Sequence, residues 1–322
     1  MRVLSGIQPS GALHIGNYFG AIRQYVALQE GNDAFYFVAN YHALTSVREP
    51  ERLRAYVFDV LADLLSLGLD PERATLFVQS DVPETTELAW LLTSVTPMGW
   101  LEKCVSYKDK VQAGIPAEHG LFAYPVLQAA DILLYDADVV PVGQDQKQHL
   151  EITRDIAERF NHVFGGGEPV FRLPKPYILD AVAVVPGIDG RKMSKSYNNT
   201  IEIFDDPATI RKKCKKIVTD STPVEAPKDP ETCPLFSLYR LFAPPDERAE
   251  VERRYRAGGM GYGEMKTRLA DHIIAAFAAP RERRAEWVEH PARVAEVRAA
   301  AAARARSAAR GVLDRARGAC GV

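Results

Sequence analysis

Four apolar runs of strand length punctuate the first two-thirds of the chain: Arg2–Ser5, Ala34–Ala39, Thr75–Gln79 and Val139–Val142. Between them lie stretches with helical periodicity, clearest from Glu51 to Leu69 and from Gln148 to Phe160, where Leu150, Thr153, Ile156, Ala157 and Phe160 share a face. Strands apolar on both faces need cover on both faces, and strands alternating with helices pair in parallel. The pattern predicts an α/β fold, a Rossmann-like, doubly wound parallel sheet. After Tyr197 the strand signals fade. Ser221–Pro234, "STPVEAPKDPETCP", is a Pro-rich loop, and beyond it Met265, Leu269, Ile273 and Phe277 recur at four-residue steps. From Arg281 onward ten Arg stand against five Asp/Glu on an Ala-rich, helix-compatible background. The expected division is an α/β domain over 1–199 and a smaller, C-terminal all-helical domain over 200–322.

A chain of 322 residues with a formal charge of −2 carries no global bias towards nucleic acid or membrane. Such a total can still hide a local basic patch, such as "RKKCKK" at Arg211–Lys216. The N-terminal residues lack the apolar core of a signal peptide, and no run approaches the length of a membrane span. Cys104, Cys214, Cys233 and Cys320 show no CxxC spacing. They read as reduced cytosolic thiols, so no membrane, no structural metal and no protein-bound organic cofactor is expected.

Two short stretches carry chemistry. "SGIQPSGALHIGNYFGAI" (Ser5–Ile22) places a Gly/Pro/Ser turn after the first strand and a helix after the turn. That layout suits phosphate, because a helix N-terminus offers unpaired N–H groups and the turn's glycines admit a ligand to the backbone. It is neither GxGxxG nor GxxxxGK[ST], and by itself a Gly/His turn can be only a turn. "GRKMSKSYNN" (Gly190–Asn199) sets two lysines three apart among Ser, Gly and Asn. Alone it fits a solvated loop as well as a mobile flap facing an anion.

Taken together, "HIGN" at 14–17 and "KMSKS" at 192–196 resemble the paired HIGH and KMSKS motifs of class I aminoacyl-tRNA synthetases. Tyr124–Glu151, "YPVLQAADILLYDADVVPVGQDQKQHLE", is similar to the amino-acid pocket of bacterial tryptophanyl-tRNA synthetases, and "SGIQPSG", "MGWLEK" and "IVTDSTP" fit the same family. The resemblance covers essentially the whole chain. It implies a cytoplasmic homodimer that activates L-tryptophan with ATP and Mg²⁺ and transfers it to tRNA(Trp). Lys192 and Lys195 would neutralise the leaving phosphates, aided by Lys110 and His14. Gln8, Pro9, Ser10, Gly16 and Asn17 would line the ATP cleft. Gly143, Gln144 and Asp145 would meet the ribose, while Met193, Ser194 and Ser196 would complete the flap, with Met193 near the adenine.

For tryptophan the resemblance points to Asp131 as the acceptor of the indole N–H. Tyr124, His42 and Gln146 would complete the polar side, with Leu4, Gly6 and Gln128 nearby. Gln128 departs from the Met common in tryptophanyl enzymes, which keeps a tyrosyl enzyme open as an alternative. A HIGH-motif nucleotidyltransferase is a further alternative, although it would not need the long basic helical tail. The arginines after Arg281 and the cluster Arg211–Lys216 are the expected tRNA contacts. Met98–Tyr107 is the expected dimer interface.

Overall fold

The computed structural model describes residues 1–104, 118–142, 147–178 and 184–322. β1 (Arg2–Ile7), β2 (Asp33–Val38), β3 (Ala74–Val78), β4 (Val139–Val142) and β5 (Lys175–Ile178) form one sheet in the order β3-β2-β1-β4-β5. Every neighbouring pair is parallel, with Val3 opposite Ala34 and Val139, and Ala34 opposite Ala74. The four expected strands are all present. β5 was not expected: "KPYI" has the Lys and Pro typical of an edge strand, so it lacks the apolar run of a central one. The chain runs outward from β1 to β3, then resumes on the other side of β1 at β4. Such a reversal is where doubly wound sheets open a crevice at the carboxyl ends of their strands. Register between β1 and β4 is confined to Val3 and Val139, and Pro141 has no N–H with which to continue the ladder.

The chain forms two compact units, and neither is continuous in sequence. The first comprises Met1–Gly11, Tyr25–Ala181 and Trp287–Val322; the second comprises Ala12–Gln24 and Val182–Glu286. The boundary expected at 199/200 therefore does not describe the packing. In the first unit, helices α1 (Pro50–Ser66), α2 (Glu84–Thr93), α3 (His119–Leu133) and α4 (Lys147–Phe164) cover the sheet. α1 begins with Pro at a position whose N–H would be unpaired, and it buries Val57, Val60, Leu61, Leu64 and Leu65 at helical spacing. In the second unit, α5 (Pro207–Lys215), α6 (Pro234–Phe242), α7 (Pro245–Ala257) and α8 (Tyr262–Ala276) pack around Met265, Leu269, Ile273 and Phe277, all essentially buried. Among the described residues no helix is long and apolar enough to cross a membrane.

The basic C-terminal segment falls on two helices. Arg281, Arg283 and Arg284 lie on a helix over Ala278–Glu289, and the later arginines lie on α9 (Pro291–Cys320), which packs against β3 and α2 in the first unit. Ala301, Ala305, Ala309 and Ala316 enter the core at helical spacing, where small side chains let the helix lie close. The arginines beside them reach over the apolar stripe to fixed acids. Arg298 holds Asp81 (2.6 and 2.7 Å), Arg306 and Arg310 hold Glu84 (3.0 and 3.2 Å), Arg317 holds Glu87 (2.6 Å) and Arg315 holds Asp136 (2.7 Å). These ion pairs fasten the helix to the first unit.

Glu84 is the most buried acid of this set. Burial opposes its ionisation, but its own backbone N–H, Arg306 and Arg310 prevail and keep the carboxyl below its usual range. Arg306→Ala is expected to cost about 1–3 kcal/mol, the range for stripping a partner from a buried polar group. The contribution is complete above the unfolded value of 4.5 and is lost as pH falls through the depressed native one. Urea unfolding at neutral and acid pH checks this; a midpoint unchanged by the substitution at neutral pH would show that the pair adds nothing.

Candidate active site

The HIGN turn and the KMSKS loop both lie in the second unit. His14 caps the helical turn Ile15–Asn17 reciprocally with Asn17. The Asn17 backbone N–H donates to His14 Nδ1 (3.3 Å), and the His14 N–H donates to Asn17 Oδ1 (3.0 Å). Because Nδ1 accepts, the ring proton of the neutral imidazole resides on Nε2, which makes that edge a donor. Burial, then the positive charge of Lys195, lower the His14 pKa to about 4, so the ring stays neutral across the physiological range. The same cap shows why Asn serves in place of the final His of HIGH: its short amide reaches back to the His14 backbone. A π-helical turn, Tyr18–Ile22, follows directly.

Gly16 is the point of close approach between the two motifs. A Cβ there would lie 2.9 Å from His14 Nδ1 and 3.4 Å from Met193 Cβ. Met193 is buried (4% exposed), its Cβ beside Gly16, and so it anchors the loop next to the turn. Lys192 is exposed and Lys195 half-buried. Ser194 caps the short turn Lys195–Tyr197 by accepting from Ser196 N–H (3.3 Å). Immediately after the loop, the chain pairs with the HIGN turn: Ile15 N–H donates to Ile201 C=O and Ile203 N–H to Leu13 C=O, each at 3.0 Å. The two lysines are thus carried on a segment registered directly against His14.

In the first unit, the carboxyl end of β1 leads into Gln8, Pro9 and Ser10. Gln8 donates to Ser46 Oγ (3.3 Å), and Pro9 is buried. Gly6 is required by packing, since a Cβ would sit 2.5 Å from the Phe37 ring. Leu4 is fully buried in the core and has no surface to offer a ligand.

Asp131, near the end of α3, accepts three hydrogen bonds. Gln79 Nε2 donates to both carboxyl oxygens (2.8 and 2.9 Å), and His42 Nε2 lies 2.8 Å from Oδ2. Burial raises its pKa, against the pull of His42 and Gln79. Tyr124, about two turns earlier on the same face of α3, places its hydroxyl 2.6 Å from His149 Nε2. A cavity of about 650 Å³ brings His42 and Tyr124 together with Leu44, Thr45, Leu121 and Leu127. Gln128 is half-buried on the same helix.

Lys110, Gly143, Gln144, Asp145 and Gln146 lie outside the described residues. The same holds for Val105–Tyr107 of the expected interface. Two residues that matter to the geometry escaped the sequence reading. Gln79 braces Asp131 while its Oε1 accepts from the Tyr41 N–H (2.9 Å); its one signal was a position at the carboxyl end of an apolar strand. Asn199, buried behind the KMSKS loop, had no signal beyond its place in a polar run.

The chain thus has a parallel sheet whose first strand leads to the HIGN turn, and a KMSKS loop followed at once by a segment, Ile201–Ile203, hydrogen-bonded to Leu13 and Ile15. A family profile for class I tRNA synthetases of the tryptophan and tyrosine type (W and Y) matches residues 1–278. A tryptophan–tRNA ligase from Rhodopirellula baltica is 56% identical over 322 residues, covering 100% of both chains. One from Fusobacterium nucleatum is 54% identical over 88% of this chain and 87% of its own. The crystal structure of tryptophanyl-tRNA synthetase from Campylobacter jejuni complexed with ADP and tryptophan superposes with a TM-score of 0.93, at 48% identity over 100% of both chains. The chain belongs to this family, the class I aminoacyl-tRNA synthetases for tryptophan and tyrosine, and within it to the bacterial tryptophanyl type.

Proposed function

We propose that the chain activates L-tryptophan with ATP to tryptophanyl-adenylate and transfers the tryptophanyl group to tRNA(Trp). The observation that carries this reading is the segment just after the KMSKS loop, Ile201–Ile203, hydrogen-bonded to Leu13 and Ile15 at the HIGN turn, which keeps two ammonium groups and a neutral His14 Nε2–H donor in one compact unit. In activation a tryptophan carboxylate oxygen attacks the α-phosphorus, and the bond to the bridging oxygen of pyrophosphate breaks. Negative charge grows on the pentavalent phosphorus centre and the leaving group, so positioning and electrostatics do the work and no covalent nucleophile is needed.

Lys192 and Lys195, with Lys110, meet the leaving phosphates. His14 donates from Nε2, and Gly16 and Asn17 let the phosphates approach the backbone. Gln8, Pro9 and Ser10 line the cleft floor, Ser194 and Ser196 supply hydroxyls, and Gly143, Gln144 and Asp145 hold the ribose. Mg²⁺ enters with the nucleotide, its ligands coming chiefly from phosphate oxygens and water. Among the described residues no three His, Cys, Asp or Glu converge on a metal.

Asp131, oriented by Gln79 and His42, reads the indole N–H, with Tyr124, Gln146, Gly6 and Gln128 around it. An ionised carboxylate has about four lone-pair sites and three are taken, so one remains for the ligand. A homodimer is supported by exposed apolar side chains on the first unit, Trp90 (73%) and Met98 (63%). For tRNA, the helical second unit offers exposed Lys212, Lys215 and Lys216 on and after α5, whereas Arg211 and Lys213 are paired with acids. ATP–pyrophosphate exchange run with each of the twenty amino acids tests the reading. Exchange is expected to require tryptophan and Mg²⁺; equal exchange with tyrosine would overturn the substrate assignment.

A further inference from the structure

We propose that Asn199 is the latch of the KMSKS loop, a positioning residue that fixes Lys192 and Lys195 relative to the HIGN turn. The inference rests on the reading of those lysines as the phosphate-neutralising groups. Asn199 is 1% exposed although it lies in a run of polar residues. Its carboxamide makes three bonds, each to the loop or its stem. Oδ1 accepts from the Ser194 N–H (2.8 Å), while Nδ2 donates to the Lys192 carbonyl (3.1 Å) and to Asp189 Oδ1 (2.7 Å). Lys192 and Ser194 flank Met193, and Lys195 follows at once, so this single amide grips the backbone carrying both ammonium groups.

The amide is caged as well as bonded. A Cβ on Gly187 would lie 2.3 Å from Asn199 Cγ and Nδ2, so only glycine at 187 leaves room for it. The Asn199 carbonyl accepts from the Ile188 N–H (2.9 Å), and Pro186 bridges to Lys192 across the stem. Asp189 is itself oriented by the Arg191 N–H (3.0 Å) and by Arg191 Nε (2.7 Å). On its other side Asn199 continues into Thr200–Ile203, whose backbone is paired with Leu13–Ile15. One residue therefore joins two connections: its side chain sets the loop and its backbone runs into the segment registered on His14. Releasing the loop requires breaking the carboxamide's bonds and leaves the Thr200–Ile203 pairing intact. Asp and Ser cannot replace it, since the site needs one acceptor and two donated hydrogens on a planar group.

The test is single-turnover adenylate formation with Asn199→Ala and Asn199→Asp, the latter keeping shape but facing the Asp189 carboxylate. Both are expected to slow adenylate formation at least about tenfold, the scale of a small misplacement of reacting groups, with tryptophan affinity unchanged. Asp189→Ala, which removes one partner from outside the cage, is expected to give a smaller loss of the same kind and serves if the Asn199 variants do not fold. The deciding measurement is Asn199→Ala in a Lys192→Ala/Lys195→Ala background, where nothing remains to be positioned and its effect should fall below about twofold. A full tenfold loss in that background, or tryptophan affinity lost in parallel, would show a general structural role and overturn the latch. So would a wild-type rate in Asn199→Ala while the lysine variants are slow. A wild-type rate in the lysine variants themselves would instead reject the lysine assignment on which the inference stands.

Discussion

Lys192→Ala and Lys195→Ala should each slow adenylate formation by about a hundredfold or more, about 3 kcal/mol, the usual effect of deleting one transition-state donor. Tryptophan affinity should hold, because the additional charge on the oxygen leaving the α-phosphorus develops only as that bond breaks. The geometry supplies an internal control. Lys195 is the second cause of the low His14 pKa, after burial. Removing its ammonium should therefore raise the His14 value only partly, leaving the ring neutral at pH 7. Rapid-quench measurement of the adenylate, with NMR titration of His14, separates lost phosphate contact from a rearranged turn. Wild-type rates in either variant would refute the role of the lysines.

The second large effect is expected at Asp131. Asp131→Ala strands the buried Gln79 amide, at about 1–3 kcal/mol for an unpaired buried group, and deprives the half-buried His42 ring of its partner. On the proposed reading it also removes the acceptor for the indole N–H. A site built around a polar group discriminates through the penalty of leaving that group unpaired, whereas an apolar pocket separates similar rings weakly. The expected loss in kcat/KM for tryptophan is at least about tenfold to a hundredfold. The gap between tryptophan and an analogue with no hydrogen on the indole nitrogen should narrow. Because the carboxyl is already braced by three hydrogen bonds, lost stability alone proves nothing about recognition. The substrate ratio, measured on folded protein, decides: an unchanged ratio means that Asp131 only ties α3 to the strand ends.

What was legible in the sequence was whatever its own neighbours determine. Four strands were readable because burial on both faces leaves an uninterrupted apolar run. HIGN and KMSKS were readable because each motif is a contiguous run of residues. β5 was not, since an edge strand tolerates Lys175 and Pro176, and nothing local distinguishes it from a loop. Gln79 and Asn199 were missed for a related reason: a single amide acquires meaning from partners 52 residues away in one case, and from a cage built around it in the other. The arginines of α9 were seen, but not the acids that five of them meet. Their composition suggested a surface for nucleic acid, while their partners, Asp81, Glu84, Glu87 and Asp136, stand about two hundred residues earlier and are drawn in only by folding.

That helix also governs the order in which the molecule can be made. Ala301, Ala305, Ala309, Val312 and Leu313 belong to the same core as Leu4, Phe35 and Phe77. A nascent chain that has emitted residues 1–286 still shows the ribosome exit an uncovered β3 and α2, with Glu84 and Glu87 unanswered. Contacts of such long sequence separation form late and slowly, because loop closure is paid for in entropy before any burial repays it. The second unit, by contrast, is mostly one uninterrupted stretch, Val182–Glu286, and can organise while translation continues. The half that holds the sheet must therefore wait for its last helix, and throughout that interval it presents apolar surface to chaperones and proteases.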